Sequence, residues 1–409
     1  MTTADELAGK PCGERIKFFR EQIGMSRPVL GGLVGRSAEW VKAVETGRLQ
    51  TPRLPMLLRI AHALGIEDLA VLTGNSHAVP VRVFAGTAHA ALAAVRAALT
   101  DYQLSSTAAP PRLPHLQARL DQAWAIRHAS PDHRTQVGAL LPDLIRDAHR
   151  AIAAYEGEER REARRLLAGV YHLADMYVAY QPAPELVWLV ADRAMTQARE
   201  ADDPLAIGGS AWALVSALRD SGRWAEAVSV AHDAAKLLEP YLPDAPDDWL
   251  AMWGALQFEV AYTLARRGRH GDAWHYWDRA DQAARRLPAD YRHTQTSFGQ
   301  AVMHAHAVTL GVELRRPGEA LRAADRLDPD DIASVPRRSR HLIEVARAHY
   351  QRDERLATLL LLDKAERTAP ETVRYNGFAR DMILNLLAQP PTAARVEVRA
   401  LAARVGFAA

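Results

Sequence analysis

A helical pattern recurs five times along the C-terminal part of this 409-residue chain and restricts its fold more than any other feature. Each copy is an amphipathic segment with a small or apolar residue at one fixed place, and another amphipathic segment precedes it. Aligned on that place, the copies are 41, 46, 47 and 37 residues apart. Two helices in a period of this length are typical of a helical solenoid, in which each pair packs on its neighbours. The aligned residues are Leu186, Ala227, Ala273, Ala320 and Ala357.

The first helices of these pairs are predicted at Ala163–Tyr177, Ser210–Leu218, Trp249–Leu264, Gln300–Leu314 and Arg340–Tyr350. Small residues at the aligned place of the second helix would let the two helices of a pair approach closely. The pattern resembles tetratricopeptide repeats. The matching residues are Leu173, Ala174 and Tyr177 in a first helix and Gly222, Ala227 and Ala234 in a second. The copy around Ala320 departs from this pattern, because no glycine stands at the expected place before its second helix.

A different pattern occupies residues 25–53, where two short helices are predicted on either side of a tight turn. Ser26 and Ser37 are suitable N-caps, and Gly35 suits the left-handed residue between the helices. Two helices joined in this way form a helix-turn-helix motif, whose second helix can enter the major groove of DNA. The residues expected to face inward are Val29, Leu30, Leu33, Val41 and Val44.

Three further helices complete a compact all-helical domain around this motif. They are predicted at Glu14–Ile23, Leu54–Leu64 and Ile66–Leu72, and no strand signal interrupts them. The order of these segments resembles the Xre-type, phage-repressor-like helix-turn-helix family. The residues that match the family signature are Gly35, Ser37, Val41, Val44, Glu45 and Gly47.

The resemblance implies that the helix beginning at Ala38 reads DNA. Lys42 would reach a guanine edge or a phosphate, and Glu39 would accept from cytosine or hold a neighbouring arginine. Ala38 and Ala43 would touch thymine methyl groups, which gives weak direct readout. Backbone contacts are expected from Arg27, Arg36, Arg48 and Arg53, together with Ser37 and Trp40, whose indole either packs or donates to a phosphate. Glu45 is expected to be structural.

Composition neither demands nor excludes a nucleic-acid partner. The formal net charge is +2 over the whole chain. Over residues 13–74, nine Lys and Arg stand against six Asp and Glu, a weak local excess. Cys12 is the only cysteine, which excludes an intramolecular disulfide and a cysteine-rich zinc site and fits a reducing cytoplasm.

Aromatic residues concentrate between 212 and 277, where most should form the core between helices. A minority could instead line a site for an effector or partner, and the candidates are Trp212, Trp249, Trp253, Phe258 and Tyr262. His304 and His306 cannot share one metal ion on a helix, since residues two apart lie about 200° apart around its axis. No P-loop, dinucleotide fingerprint or catalytic triad has supporting context, so we expect no enzyme activity, cofactor or metal.

The sequence therefore predicts an all-α chain with a DNA-binding domain at 1–76, a helical segment and linker at 77–112, and a tetratricopeptide-like domain at 113–409. A short strand at 79–84 is a further expectation. The expected function is a cytoplasmic, sequence-specific transcriptional regulator that binds a palindromic operator as a homodimer. The alternative is a protein-interaction scaffold that a DNA-binding module localises. High Ala and Arg usage suggests a GC-rich bacterial genome, as in actinobacteria.

The two-module layout also resembles the regulators that sense peptide pheromones. Such regulators hold the peptide backbone with asparagines on helices. Here the repeat domain contains only Asn376 and Asn385, which argues against the peptide version. A peptide, a small molecule, a protein or no effector remain alternatives.

Overall fold

A computed structural model describes residues 7, 10–49, 52, 54–66, 69–74, 88–102 and 109–407 of the chain, without the side chains of residues 54, 55 and 62. The chain divides into two compact units. The N-terminal unit comprises Met1–Thr87 together with Asp220–Arg223, and the repeat unit comprises Ala88–Arg219 and Trp224–Ala409. The described part is helical in both units and contains no β-strand, which confirms the predicted all-α fold. The expected strand at 79–84 lies outside the described residues.

The described part of the N-terminal unit contains five helices: α1 (Cys12–Gln22), α2 (Arg27–Val34), α3 (Ala38–Glu45), α4 (Leu54–Ala63) and α5 (Leu69–Thr73). Their order and turns agree with the predicted helix-turn-helix domain. The core of the unit takes at least one apolar side chain from each helix and includes Ile16, Leu30, Val34, Val41, Val44, Ile60 and Leu72.

The expectation that Val29 and Leu33 face inward is wrong. Their side chains are 53% and 57% exposed, whereas Leu30 and Val34 are each 1% exposed. Helix α2 is apolar around most of its circumference, and only the stripe formed by Leu30 and Val34 contacts the core. Residues four apart lie on the same side of a helix, so Val29 and Leu33 form a second apolar stripe that solvent reaches.

Sixteen α-helices follow in the described part of the repeat unit. A first group of three, α6 (Leu92–Thr100), α7 (Leu113–Ala129) and α8 (His133–Ala154), precedes the repeats. Five helix pairs come next, and three helices close the unit. The pairs are α9 (Gly157–Val178) with α10 (Pro184–Glu200), α11 (Pro204–Asp220) with α12 (Trp224–Leu238), α13 (Asp247–Arg266) with α14 (His270–Arg285), α15 (Gln300–Glu313) with α16 (Pro317–Ala324), and α17 (Val335–Gln351) with α18 (Arg355–Thr368). The last three are α19 (Pro370–Tyr375), α20 (Gly377–Ala388) and α21 (Arg395–Val405).

Helix α6 belongs to the repeat unit and not to a separate linker segment. Leu92, Val95 and Leu99 lie in one buried cluster with side chains of α7 to α10. The repeat unit therefore begins earlier than the predicted residue 113. Of the predicted helical segment and linker at 77–112, residues 77–87 and 103–108 lie outside the described part.

Each of the five turns inside a helix pair contains one residue in the left-handed region. These residues are Tyr180, Gly222, Gly268, Arg315 and Asp353, with φ between 59° and 76°. Arg315 explains the departure noticed in the sequence around Ala320, because it adopts at φ 59° the conformation for which glycine is preferred. The repeat is thus regular in backbone conformation where its sequence is irregular.

The aligned small residues lie where two helices of a pair meet. Ala227, Ala273 and Ala320 are fully buried. A Cβ atom on Gly311 would lie 2.9 Å from the Cβ of Ala320, so α15 and α16 approach closely at this point. In the fifth pair the alignment is one residue off, because Ala357 is half-buried and Thr358 is fully buried. Among the described helices, none is long and apolar enough to cross a membrane.

Candidate nucleic-acid interface

The turn between α2 and α3 is fixed by two serine caps and two glycines. The Ser26 hydroxyl accepts a hydrogen bond from the backbone N–H of Val29 at 3.4 Å, and the Ser37 hydroxyl accepts one from that of Trp40 at 3.1 Å. Gly35 adopts φ 69°. A Cβ atom on Gly31 would lie 2.6 Å from the carbonyl oxygen of Arg36, so only glycine lets the turn approach α2 this closely. These residues set the crossing of the two helices.

A buried ion network holds the C-terminal end of α3. The Glu45 carboxylate is inaccessible and accepts from Arg20 on α1 at 2.5 Å and from Arg27 on α2 at 2.7 Å. Arg20 also donates to the carbonyl oxygen of Met25 at 2.8 Å. One carboxylate therefore connects all three helices that position the motif.

The charged form of Glu45 is the stable one in this site. Burial raises the pKa of its carboxyl, but the hydrogen bonds and charges of Arg20 and Arg27 more than offset burial, so the pKa lies below its ordinary value. The hydrogen bond from Arg20 to Glu45 raises the pKa of Arg20. The network thus remains ionised at neutral pH and serves the structure, as expected for Glu45.

Helix α3 presents a small polar face to solvent. Glu39 and Lys42 are exposed and Ala38 is half-buried. Lys42 forms no ion pair with any other described residue. The expectation that Ala43 shares this face is wrong, because Ala43 is 7% exposed. The chain reverses at Gly47 and Leu49 donates to the carbonyl oxygen of Ala43 at 3.0 Å, which brings the returning segment against this turn of the helix.

The basic residues expected to contact DNA around α3 differ in their exposure and in whether they already have a partner. Arg48 is exposed, and Arg36 places its guanidinium carbon 5.5 Å from the centroid of the Trp40 ring. Trp40 is half-buried and packs on the core, in agreement with the packing alternative. Arg27 uses its Nε for Glu45 and is one-third exposed. Arg53 lies outside the described residues.

Two arginines that act inside the N-terminal unit were not predicted from the sequence. Arg20 is buried in the Glu45 network, and Arg15 donates to the carbonyl oxygens of Leu7, Lys10 and Val71 at 2.6 to 3.1 Å. Arg20 stands four residues after the core residue Ile16, and this spacing was a signal that it faces inward. Three of the nine basic residues counted in the sequence, Arg15, Arg20 and Arg27, therefore hold the unit together.

The five candidate aromatic residues of the repeat unit do not form one surface. Trp249 and Trp253 lie on one side of α13, where Trp249 contacts Tyr241 at 4.9 Å between ring centroids. Phe258 and Tyr262 stack on each other further along the same helix. Phe258 follows Trp249 by nine residues, and Tyr262 follows Trp253 by nine. Nine residues correspond to about 180° around the helix axis beyond whole turns, so the two pairs lie on opposite sides of α13. The helical spacing alone could have shown this division.

Trp212 and Phe258 are core residues and not surface residues. Trp212 is 7% exposed and Phe258 is 4% exposed. The ring of His306 stacks on Phe258 with 3.6 Å between centroids, and burial holds the pKa of His306 well below its ordinary value. No group of three or more His, Cys, Asp or Glu in the described part of the chain could hold a metal ion.

Comparison with known proteins identifies the N-terminal unit. No curated protein matches the sequence. Among solved structures, the chain is similar to a Rap protein complexed with competence and sporulation factor, at 12% identity over 72% of this chain and 88% of that one, with a TM-score of 0.44. It is also similar to PlcR of Bacillus thuringiensis in complex with the peptide PapR7 and DNA, at 14% identity over 84% and 99% of the chains, with a TM-score of 0.35. A third similar structure is ComR from S. thermophilus in complex with DNA and its signalling peptide ComS, at 15% identity over 68% and 94%, with a TM-score of 0.25. Residues 12–72 match the helix-turn-helix domain family, so the N-terminal unit is a helix-turn-helix domain.

Proposed function

We propose that this chain is a sequence-specific transcriptional regulator in which α3 enters the DNA major groove. The observation that carries the proposal is the exposed face of α3, where Glu39 and Lys42 project from a helix that Ser37 and Glu45 fix at its two ends. A helix presented in this way fits the groove and brings side chains to the base edges.

The distribution of charge favours contacts to the DNA backbone over contacts to bases. Lys42 and Arg48 are exposed and free of ion pairs with described residues, and Arg36 lies beside Trp40 at the start of α3. Ala43 is buried and Ala38 has only a methyl group, so Glu39 and Lys42 are the side chains of this face that would form hydrogen bonds with the bases. Operator shape and the spacing of two half-sites would then supply much of the specificity.

The remaining parts of the proposal concern assembly and control. We infer a cytoplasmic bacterial protein of the Xre type that binds a palindromic operator as a homodimer. The repeat unit would dimerise, respond to an effector, or do both. A change in the repeat unit would alter the distance between two DNA-binding domains, which couples effector binding to operator binding.

The first test is selection of DNA from a random pool with the full chain, followed by affinity measurements on the selected site. We expect two half-sites with a centre-to-centre spacing of about 10 base pairs or a multiple of it. Lys42→Ala should weaken binding by about ten-fold or more and reduce the salt dependence by about one counterion, since one cationic contact is lost. Fluorescence anisotropy across a salt series measures both effects.

The matched control is Arg161→Ala, which removes an exposed cation of the repeat unit whose one ion pair among the described residues is with Glu158. It should leave affinity and salt dependence unchanged. Binding without sequence preference, or equal loss in Lys42→Ala and Arg161→Ala, would contradict the role of α3. Copurification of one protein partner in that case would favour the scaffold alternative.

A further inference from the structure

Four arginines from distant parts of the repeat unit lie together in the folded chain. Arg127 ends α7, Arg134 begins α8, and Arg337 and Arg340 lie one turn apart on α17. We call these four residues the arginine cluster. The ring of Tyr180 lies between two of them, with its centroid 6.0 Å from the guanidinium carbon of Arg134 and 5.9 Å from that of Arg340. Arg340 also donates to the hydroxyl of Tyr180 at 3.3 Å.

Hydrogen bonds around the arginine cluster hold these segments in place. His128, next to Arg127, lies 2.9 Å from the hydroxyl of Ser334 and 2.7 Å from the carbonyl oxygen of Thr294. Arg337 donates to the carbonyl oxygen of Thr296 at 2.8 Å. The end of α7, the loop before α15 and the start of α17 are therefore joined directly. These bonds hold the segments that carry Arg127 and Arg337 close together.

The two carboxylates beside the arginine cluster are already engaged, and of the four arginines only Arg340 forms an ion pair within the described residues. Glu344 pairs with Arg340 and with Arg347, at 2.5 and 2.6 Å. Glu371 accepts from the backbone N–H groups of Arg134 and Thr135 and from the Thr135 hydroxyl. Within the described residues, Arg127, Arg134 and Arg337 form no ion pair. Arg134 donates to the carbonyl oxygen of Tyr177 at 2.6 Å and Arg337 to that of Thr296, so neither guanidinium group is paired with a carboxylate.

Several donors of the arginine cluster are buried and unsatisfied. Nε and Nη1 of Arg127 and Nε of Arg134 have no hydrogen-bond partner, and Arg134 is 5% exposed. Arg150 and Arg164 also bury an unpaired Nε, but each forms an ion pair through another nitrogen. Arg127 forms no hydrogen bond to any described residue. A buried unsatisfied donor is unfavourable, and so it calls for a specific explanation.

The electrostatic environment of the arginine cluster also favours a bound anion. Burial and the charges of Arg134 and Arg337 lower the pKa of Arg127 to about 9. Burial also lowers the pKa of Arg337, and the positive charge of Arg340 lowers it further. Arg219, by comparison, is a buried arginine that pairs with the carboxylate of Glu259. Burial would lower the pKa of Arg340, but the charges of Tyr180 and Glu344 more than offset burial and raise it. The three guanidinium groups without an ion pair instead favour an anion that neutralises them.

We propose that the arginine cluster binds an oxyanion with at least two negative charges, which is either a phosphate ester or a polycarboxylate. Guanidinium groups match both chemistries, because each can donate two parallel hydrogen bonds to one phosphate or carboxylate. The Tyr180 ring is 55% exposed, so the site reaches solvent and offers a flat apolar surface beside the anion. Tyr180 adopts φ 67°, a conformation that is uncommon for an aromatic residue and holds the ring at this place.

The identification of this anion as the effector rests on the proposed regulatory function, but the site itself is tested without DNA. Thermal unfolding of the full chain is followed at constant ionic strength, with inorganic pyrophosphate and citrate titrated separately against chloride. We expect a saturable rise in Tm of about 3 °C or more with at least one of them. A response to pyrophosphate alone indicates a phosphate ester, and a response to citrate alone indicates a polycarboxylate. No response to either would overturn the proposal.

Arg127→Met tests the assignment to these residues. Because Arg127 forms no hydrogen bond and is repelled by its neighbours, its removal should leave the Tm without anion unchanged or higher and abolish the anion-induced rise. Arg127→Lys keeps the charge but not the paired donors, and should weaken anion binding about ten-fold, as isothermal titration calorimetry measures. Arg161→Met, on the exposed part of α9, is the matched control and should retain the full response.

An Arg127→Met protein that unfolds at lower temperature yet keeps its anion response would show that Arg127 is structural, and would contradict the proposal. The same holds if Arg161→Met loses the response, since the anion would then bind the surface generally. None of these measurements depends on Lys42 or on DNA. Failure of the anion site and failure of the DNA-binding proposal are therefore distinguishable.

Discussion

Glu45 is the residue on which the geometry of the DNA-binding domain depends most. Glu45→Gln should destabilise the N-terminal unit by about 3 kcal/mol, because it removes the carboxylate that neutralises the buried charge of Arg20 and the partly buried charge of Arg27. Hydrogen exchange of peptides from residues 12–72 in the full chain measures this loss locally. Glu39→Gln, on the exposed face of α3, is the control and should change stability by about 0.5 kcal/mol or less.

The same network has a defined pH dependence. The pKa of Glu45 is lower in the folded chain than its ordinary value of 4.5. The unfolded chain therefore takes up this proton first as the pH falls. The stabilising contribution is complete well above pH 4.5 and is lost as the pH falls below it. In Glu45→Gln this part of the acid dependence should be absent, and its persistence would show that other carboxylates cause it.

At the scale of elements, two adjacent glycines of α2 provide a matched test of the turn. A Cβ atom on Gly31 would meet the Arg36 carbonyl oxygen at 2.6 Å, whereas a Cβ atom on Gly32 would meet nothing within 4 Å. Gly31→Ala should destabilise the N-terminal unit by about 2 kcal/mol through overpacking. Gly32→Ala should stabilise it by about 0.5–1 kcal/mol, because alanine is the better helix former. Hydrogen exchange of peptides from residues 12–72 in the full chain measures both, and equal effects would contradict the close approach of the turn.

The elements themselves were largely predictable from the sequence, because caps, glycine turns and apolar spacing are local signals. Ser26, Ser37 and Gly35 gave the motif correctly. The side of α2 that faces the core was not predictable, since Val29 and Leu33 form an apolar stripe as good as that of Leu30 and Val34. The burial of Ala43 depends on a chain reversal that begins after α3 has ended. The arginine cluster was not predictable from the sequence, because its residues on α7 and α8 meet those on α17 only in the folded chain.

At the scale of the whole molecule, buried histidines should make the repeat unit sensitive to mild acid. Burial lowers the pKa of His128, His172, His293 and His341 to between about 3 and about 4, from an ordinary value of 6.5. Since the unfolded chain binds these protons first, stability should fall as the pH decreases from 6.5 toward about 4. Each histidine contributes up to about 1.4 kcal/mol per pH unit.

The Tm of the repeat unit between pH 7.5 and 5 measures this dependence. His172→Gln removes one buried group, which lies 2.9 Å from the Ser210 hydroxyl, and should make the dependence less steep. His275→Gln removes an exposed histidine and should leave the slope unchanged. A Tm that is constant across this range would mean that the buried histidines are protonated in the folded chain.

The bond between His128 and Ser334 has a consequence for the synthesis of the chain. Its two residues are 206 positions apart, so the segment that completes the arginine cluster leaves the ribosome long after the segment that begins it. Contacts of such sequence separation form late in folding. Until α17 has been made, the guanidinium groups of Arg127 and Arg134 remain open to solvent, and the nascent chain has no site for the anion. Any ligand of this site therefore binds only a chain whose fifth repeat has folded.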